Sequence, residues 1–232
     1  MISNLKDFNP FYIKIISLNK KIEFIFENFI NIKIANNLSI EDLFLTFLFL
    51  SKKKYIEIFI INTGRLFYKN IFLINKFIKK FKIFIKIYYP NFLLINKYIK
   101  KYSLNGFYNN ILLRKICCHI RKVEILNKVL IKSPVWLNGQ RKFQNINRLN
   151  NYEYEYDYNR NIVKFNLLLN WKFKDIFYFV EKFNIITNSM YNENYFSIGC
   201  EPCTKILKNN YDFRSGRWWW ENNLKKECGL HI

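Results

Sequence analysis

Five cysteines in three places constrain this 232-residue chain more than any other feature. Cys117 and Cys118 are adjacent, Cys200 and Cys203 form a C-x-x-C pair, and Cys228 stands alone near the end. Four thiolates in two close pairs can chelate one soft metal centre. A fold that serves them must therefore bring position 117 beside position 203, about 80 residues further on. The second pair is embedded in Ser197-Ile198-Gly199-Cys200-Glu201-Pro202-Cys203-Thr204. The fifth thiol is left free to react, and Lys225 and Lys226 beside it favour its thiolate. A residue so near the terminus can swing between a site and a partner protein.

The alternatives stay open at this level. Adjacent cysteines can be buried free thiols, and C-x-x-C alone can be a zinc half-site or a redox pair. Spacing does not separate tetrahedral zinc from a cubane iron–sulfur cluster. His119 could ligate, but four thiols suffice without it. Arg121 and Lys122 follow the first pair closely enough to offset the negative charge of a bound centre.

Half the residues are apolar, enough for one domain with a hydrophobic core. No apolar run approaches the roughly 18 residues of a membrane span, so no membrane association is expected. The first seven residues lack the features of a secretory signal. The reading is a cytoplasmic protein whose cysteines do metal or redox chemistry instead of forming a disulfide framework.

The formal net charge of +21 would ordinarily raise nucleic acid as a partner. Here Lys, Asn, Ile, Phe and Tyr crowd the chain and a single alanine, Ala35, is present, the imprint of A/T-rich codons. The lysines are also scattered along the chain, which argues against nucleic-acid binding. The same bias makes retained glycines and arginines informative. Gly64, Gly139, Gly199, Gly216 and Gly229 fall in motifs, as do Arg65, Arg121, Arg141, Arg214 and Arg217. A planar guanidinium fork for an oxyanion cannot be replaced by a lysine.

The spacing of Ile15, Leu18, Ile22, Ile25 and Phe29 predicts a helix in an N-terminal segment, 1–30. Residues 31–35 alternate like a strand and turn at 36–39 into an apolar helix ending near Leu50. A β-rich run from Tyr55 to Ile61, a helix to about Lys80 and a strand from Ile83 to Tyr89 follow. Val135 to Leu137 reads as a strand, 150–161 as a surface hairpin or loop, and Trp171 to Phe183 as an amphipathic helix. Alternating strands and helices predict an α/β fold with a mostly parallel sheet covered on both faces. Ligands would bind beyond the carboxyl ends of the strands, where 36–42 and 62–67 emerge. The expected organisation is the N-terminal segment, one domain over 31–210 and a C-terminal tail, 211–232.

Arg214 and Arg217 flank Gly216, and such a pair can grip a phosphate or sulfate. Trp218, Trp219 and Trp220 demand burial against something. Stacking on single-stranded nucleic acid is the competing use, giving the alternative of a zinc- or cluster-stabilised nucleic-acid-binding protein.

Taken jointly, Cys117 to Glu124, Gly139 with Arg141, Lys142 and Gln144, Ser197 to Thr204, Arg214 to Glu221 and Lys226 to His231 resemble the assimilatory sulfonucleotide reductases. Glu41-Asp42 and Asn62 to Phe67 extend the likeness over about 36–232. The resemblance implies an adenine-nucleotide α-hydrolase-like fold. Of the family's two branches, the one with four extra cysteines binds a [4Fe–4S] cluster and prefers adenosine 5′-phosphosulfate. The other reduces the 3′-phosphorylated nucleotide.

By that likeness Cys117, Cys118, Cys200 and Cys203 hold the cluster and Cys228 attacks the sulfate sulfur. A thioredoxin or glutaredoxin thiol then releases sulfite, in assimilatory sulfate reduction for cysteine biosynthesis. Arg141, Lys142, Arg214, Arg217, Lys122, Gly64 and Arg65 are the implied substrate-binding residues. A homo-oligomer is compatible with the sequence. The family's glycine before the acidic pair is Ser39 here, and its glycine further on is Asn194.

Overall fold

A computed structural model describes residues 10–131, 133–207, 213–221 and 227. Helix α1 (Pro10–Asn28) leads into β1 (Lys33–Ala35), α2 (Ile40–Ser51), β2 (Glu57–Ile61), α3 (Tyr68–Phe81) and β3 (Lys86–Tyr88). Helices α4 (Phe92–Tyr102), α5 (Ile111–Cys118) and α6 (Glu124–Leu130) precede β4 (Val135–Leu137). Strands β5 (Tyr154–Asp157) and β6 (Ile162–Phe165) and helix α7 (Phe173–Lys182) complete the regular elements. The six strands form one sheet in the order β3-β2-β1-β4-β6-β5, parallel except for the β5–β6 hairpin.

Apolar patterning explains the layers. Ile15, Leu18, Ile22 and Ile25 recur at helical spacing along α1, and all four enter the main core with Leu43, Phe44, Phe49 and Phe179. Helix α2 carries Leu or Phe at every position from 43 to 50 except Thr46, and most of it is buried against the sheet and α7. β4 is covered on both faces, so Val135, Trp136 and Leu137 are buried in an unbroken apolar run, while its neighbour β1 buries Ile34 between the half-buried Lys33 and Ala35. The segment 150–161 is indeed a hairpin arm, and it adds the antiparallel edge strand β5.

The order 3-2-1-4 creates a crevice between β1 and β4, where successive connections leave in opposite directions. In such sheets that crevice, at the strands' carboxyl ends, is the ligand site. A cavity of about 170 Å³ occupies it, lined by the loops after β1, β2 and β4 and by residues from 191–199 and 213–217.

Among the described residues no helix is long and apolar enough to cross a membrane.

Candidate active site

The floor of the cleft is the turn after β1. Ser39 has an extended backbone (φ −73°), and its hydroxyl accepts from the Asp42 N–H as the N-cap of α2. Serine therefore suits a position where the resembled family carries glycine, and the left-handed residue is its neighbour Leu38 (φ 66°). Asn194, at the other glycine position, is left-handed (φ 62°), a conformation that asparagine tolerates.

Asp42 is buried and accepts from the N–H groups of Asn37 (3.1 Å) and Gly139 (2.9 Å), tying the β1 loop to the β4 loop. Burial pushes its carboxyl up to about 7, against those two stabilising N–H groups. A Cβ on residue 139 would lie 2.6 Å from the Asp42 carboxylate, so this close approach needs glycine. Glu41 is buried too, accepting from Arg141 Nε at 2.8 Å and Gln144 Nε2 at 2.9 Å. Asn138 Nδ2, Gln140 Oε1 and Arg217 Nε are buried among the cleft's lining residues without hydrogen-bond partners among the described residues. Such atoms carry a desolvation cost that a polar ligand would relieve.

The opposite wall is cationic. Lys122, Arg148, Arg214 and Arg217 line it. The Arg217 guanidinium passes under Gly199, where a Cβ would come within 2.3 Å of it, and donates to the Ile198 carbonyl at 3.3 Å. Arg114 and Arg217 lie over the Trp218 ring at 4.5 and 4.6 Å. Trp218 is fully buried, and Trp220 packs on Phe107 and Tyr108. Two of the three tryptophans are thus used in packing and do not form an open stacking surface.

Behind this wall the four cysteines of the two pairs line one small cavity of about 20 Å³ with Arg65, Arg114, Arg121 and Lys122. Cys117 and Cys118 end α5, and a π-helical turn, His119–Val123, follows directly. Such wide turns recur at functional sites. Here the turn carries Arg121, whose guanidinium donates to the Thr63 carbonyl at 2.7 Å. Cys200 and Cys203 lie on a short 3-10 turn, held by Glu201 N–H donating to the Arg65 carbonyl and Trp218 N–H to the Cys203 carbonyl. Thr63 Oγ1 is 3.2 Å from Cys200 Sγ.

Burial raises the Cys117 thiol and pushes Cys203 up to about 12. Burial also acts to raise Cys200, but Lys122, the Thr63 contact and Arg217 overcome it and hold that thiol below its ordinary value. Among the described residues no three His, Cys, Asp or Glu side chains form a set that could hold a metal ion. The thiols share a cavity but do not meet at a single point. His119 is exposed and does not line it.

The structure thus divides the residues singled out from the sequence. Lys122 borders both cavities, while Arg141, Arg214 and Arg217 line the cleft. Arg65 belongs to the thiol cavity, stacking on Phe107 at 5.7 Å. Gly64 (φ 71°) turns the β2 loop beside Arg121, and neither it nor the half-buried Lys142 lines the cleft. Cys228 lies outside the described residues. Sequence reasoning passed over Arg114 and Arg148, although arginine's scarcity in this lysine-rich chain marked them as clearly as the others.

Residues 31–206 match the family model described as phosphoadenosine phosphosulfate reductase domain. The chain is 40% identical over 201 residues to the adenosine 5′-phosphosulfate reductase of Burkholderia cepacia, covering 87% of this chain and 80% of that one. The protein of the same name from Neisseria meningitidis serogroup B is 34% identical, with 86% and 81% covered. Among solved structures, the phosphoadenylyl-sulfate reductase of Candida auris shares the fold, with a TM-score of 0.69 at 21% identity over 81% of this chain and 90% of that one. The FMN adenylyltransferase of Candida glabrata is a more distant fold relative, with a TM-score of 0.59 at 13% identity over 100% of this chain and 81% of that one.

Proposed function

This chain belongs to the phosphoadenosine phosphosulfate reductase domain family, and from that premise we propose that it reduces adenosine 5′-phosphosulfate to sulfite and AMP. The carrying observation is one construction. A cleft at the β1/β4 switch point ends in a cationic wall, and four thiols share a second cavity that Lys122 of that wall also borders.

The thiol set fits a [4Fe–4S] cluster: four sulfurs from two close pairs border one cavity, flanked by four cationic side chains that offset a cluster's negative charge. Cys117, Cys118, Cys200 and Cys203 would be its ligands. A bound cluster would supply a fixed local charge beside Lys122 and Arg217 rather than electrons for the reduction.

The chemistry falls to the chain's own residues. Nucleoside groups would meet Asn138 Nδ2 and Gln140 Oε1, which are buried without partners among the described residues. The phosphosulfate would lie against Lys122, Arg214 and Arg217, which disperse the charge that builds on the leaving phosphate. Arg141, already paired with Glu41, would shape the cleft between the two.

The Cys228 thiolate attacks the sulfate sulfur, the S–O bond to phosphate breaks with its electron pair leaving on AMP, and a Cys–S–SO₃⁻ group remains. A thioredoxin-type dithiol then attacks Cys228 Sγ, and sulfite leaves with the S–S bonding pair. The partner's second thiol resolves the mixed disulfide and regenerates the Cys228 thiol. Arg217 and Trp218 of the tail 211–232 stay buried in the wall, and the residues after Glu227 would present this thiol to cleft and partner in turn, in a cytoplasmic protein.

Metal analysis of anaerobically purified protein, combined with kinetics, tests the assignment. The expected result is about four irons per chain, with higher kcat/KM for adenosine 5′-phosphosulfate than for its 3′-phosphorylated form. Stoichiometric zinc would overturn the cluster, and the reverse nucleotide preference would overturn the substrate.

A further inference from the structure

We infer that Glu227 is a positioning residue for sulfur transfer, a three-point anchor that fixes where the C-terminal arm delivers its thiol. The inference rests on Cys228 being the nucleophile. Glu227 is buried in the wall of the cleft. Its Oε1 accepts from Arg148 Nε at 2.9 Å and its Oε2 from Arg214 at 3.1 Å. Its backbone carbonyl accepts from Arg114 at 2.5 Å.

Arg114 is itself immobilised. Its Nε and second terminal nitrogen donate to the two carboxylate oxygens of Glu221 at 2.8 and 3.0 Å, a bidentate pair whose members are 2% and 3% exposed. The same guanidinium lies over Trp218 and borders the thiol cavity. A continuous chain of contacts therefore runs from the four thiols through Arg114 to the residue bonded to Cys228. Consecutive Cα atoms are about 3.8 Å apart, so an anchor at 227 ties the next residue of the chain to a fixed point. That is the restriction an in-line attack requires, since misplacement by an ångström can cost about 100-fold.

The carboxylate is specific to this task. Arg148 and Arg214 come from separate segments, and only an anion of two-oxygen geometry bridges both. Arg148 also donates to Gln144 at the end of the β4 loop, so the anchor is indexed to the part of the cleft where the nucleotide would lie. Burial alone would raise the Glu227 carboxyl, yet Arg148 and Arg214 hold it below its ordinary value and keep it charged.

Rapid-quench single turnover of the full-length protein with sulfur-labelled adenosine 5′-phosphosulfate, without thioredoxin, tests this. The variants are Glu227→Ala, the shape-preserving Glu227→Gln and Cys228→Ser. Labelling of the tail should slow about 100-fold in Glu227→Ala and about 10-fold in Glu227→Gln. Visible absorbance and the rate of Cys228 alkylation by iodoacetamide should each stay within about threefold, because only placement inside the cleft is lost. Transfer at the wild-type rate in Glu227→Gln and Glu227→Ala would overturn the inference. So would tighter AMP binding with unslowed transfer, which marks Glu227 as a mere placeholder anion, or equal slowing of transfer and alkylation, which marks an effect on thiol reactivity. Label appearing on Cys228→Ser would sink the nucleophile assignment itself. Its absence there beside unslowed Glu227 variants sinks only the anchor.

Discussion

The two ends of the cleft use backbone and side chains in opposite ways. At the β1 end, five N–H groups around the start of α2 are accepted internally: Asn37 by Asp42, Leu38 by Asn36, Ser39 by Asn37, Ile40 by Tyr191 and Asp42 by Ser39. A helix start normally attracts anions through such donors, but here they are already in use. At the other end, Lys122, Arg148 and the Arg214–Arg217 pair converge from three segments, and Arg217 Nε is buried without a hydrogen-bond partner among the described residues. The contrast teaches that anion handling has moved from helix dipole to guanidinium groups. The β1 loop is left to shape the cleft.

The sharpest way to break this contrast is to remove a cation's support. Arg114→Ala leaves Glu221 buried and unpaired, and should destabilise the fold by about 3–5 kcal/mol in chemical denaturation. A loss below about 1 kcal/mol would mean that the pair is solvated.

Asp42 probes the internally satisfied end. Its folded pKa is raised, from 3.8 to about 7. Its stability contribution is therefore fully present below about pH 3.8 and lost as pH rises through about 7. Relative to Asp42→Asn, wild type should lose about 2–4 kcal/mol between pH 4 and 8. Parallel melting curves for the two proteins across that range would refute the raised carboxyl of Asp42.

Gly199→Ala pushes the Arg217 guanidinium out of place, since the new Cβ would fall 2.3 Å from it. The expected loss in kcat/KM is about 100-fold, near 2.7 kcal/mol, with the melting temperature little changed. Unaltered kcat/KM would remove Arg217 from the cationic wall's work. Smallest of all, Ser39→Ala deletes one N-cap and should cost about 1 kcal/mol in stability with a similar kcat.

Legibility followed the physics of each signal. The helix over 10–28 and the strands at 33–35, 57–61 and 135–137 were readable because burial imposes apolar periodicity. The sharing of one cavity by two cysteine pairs was readable because thiol chemistry demands it. Lys122's place between the two cavities and the cleft positions of Arg141, Arg214 and Arg217 were equally accessible. Helices α4 and α5 were not, since their exposed faces carry Phe92, Leu93 and Leu112 that blur the pattern. Arg114 and Arg148 act through Glu221 and Glu227, 107 and 79 residues away, and no local spacing encodes such approaches. Arg65 likewise belongs to the thiol cavity through tertiary packing, although its motif suggested a nucleotide contact.

The central claim is that sulfur passes through the lone C-terminal thiol while the four paired thiols serve the centre behind the wall. Wild-type protein incubated with adenosine 5′-phosphosulfate in the absence of a dithiol, digested with trypsin and mass-analysed, addresses it directly. The account predicts one added SO₃ group on the fragment that follows Lys226, residues 227–232, lost on adding thioredoxin with release of sulfite. An SO₃ group found instead on Cys117 or Cys200, or sulfite production continuing in Cys228→Ser, would contradict it.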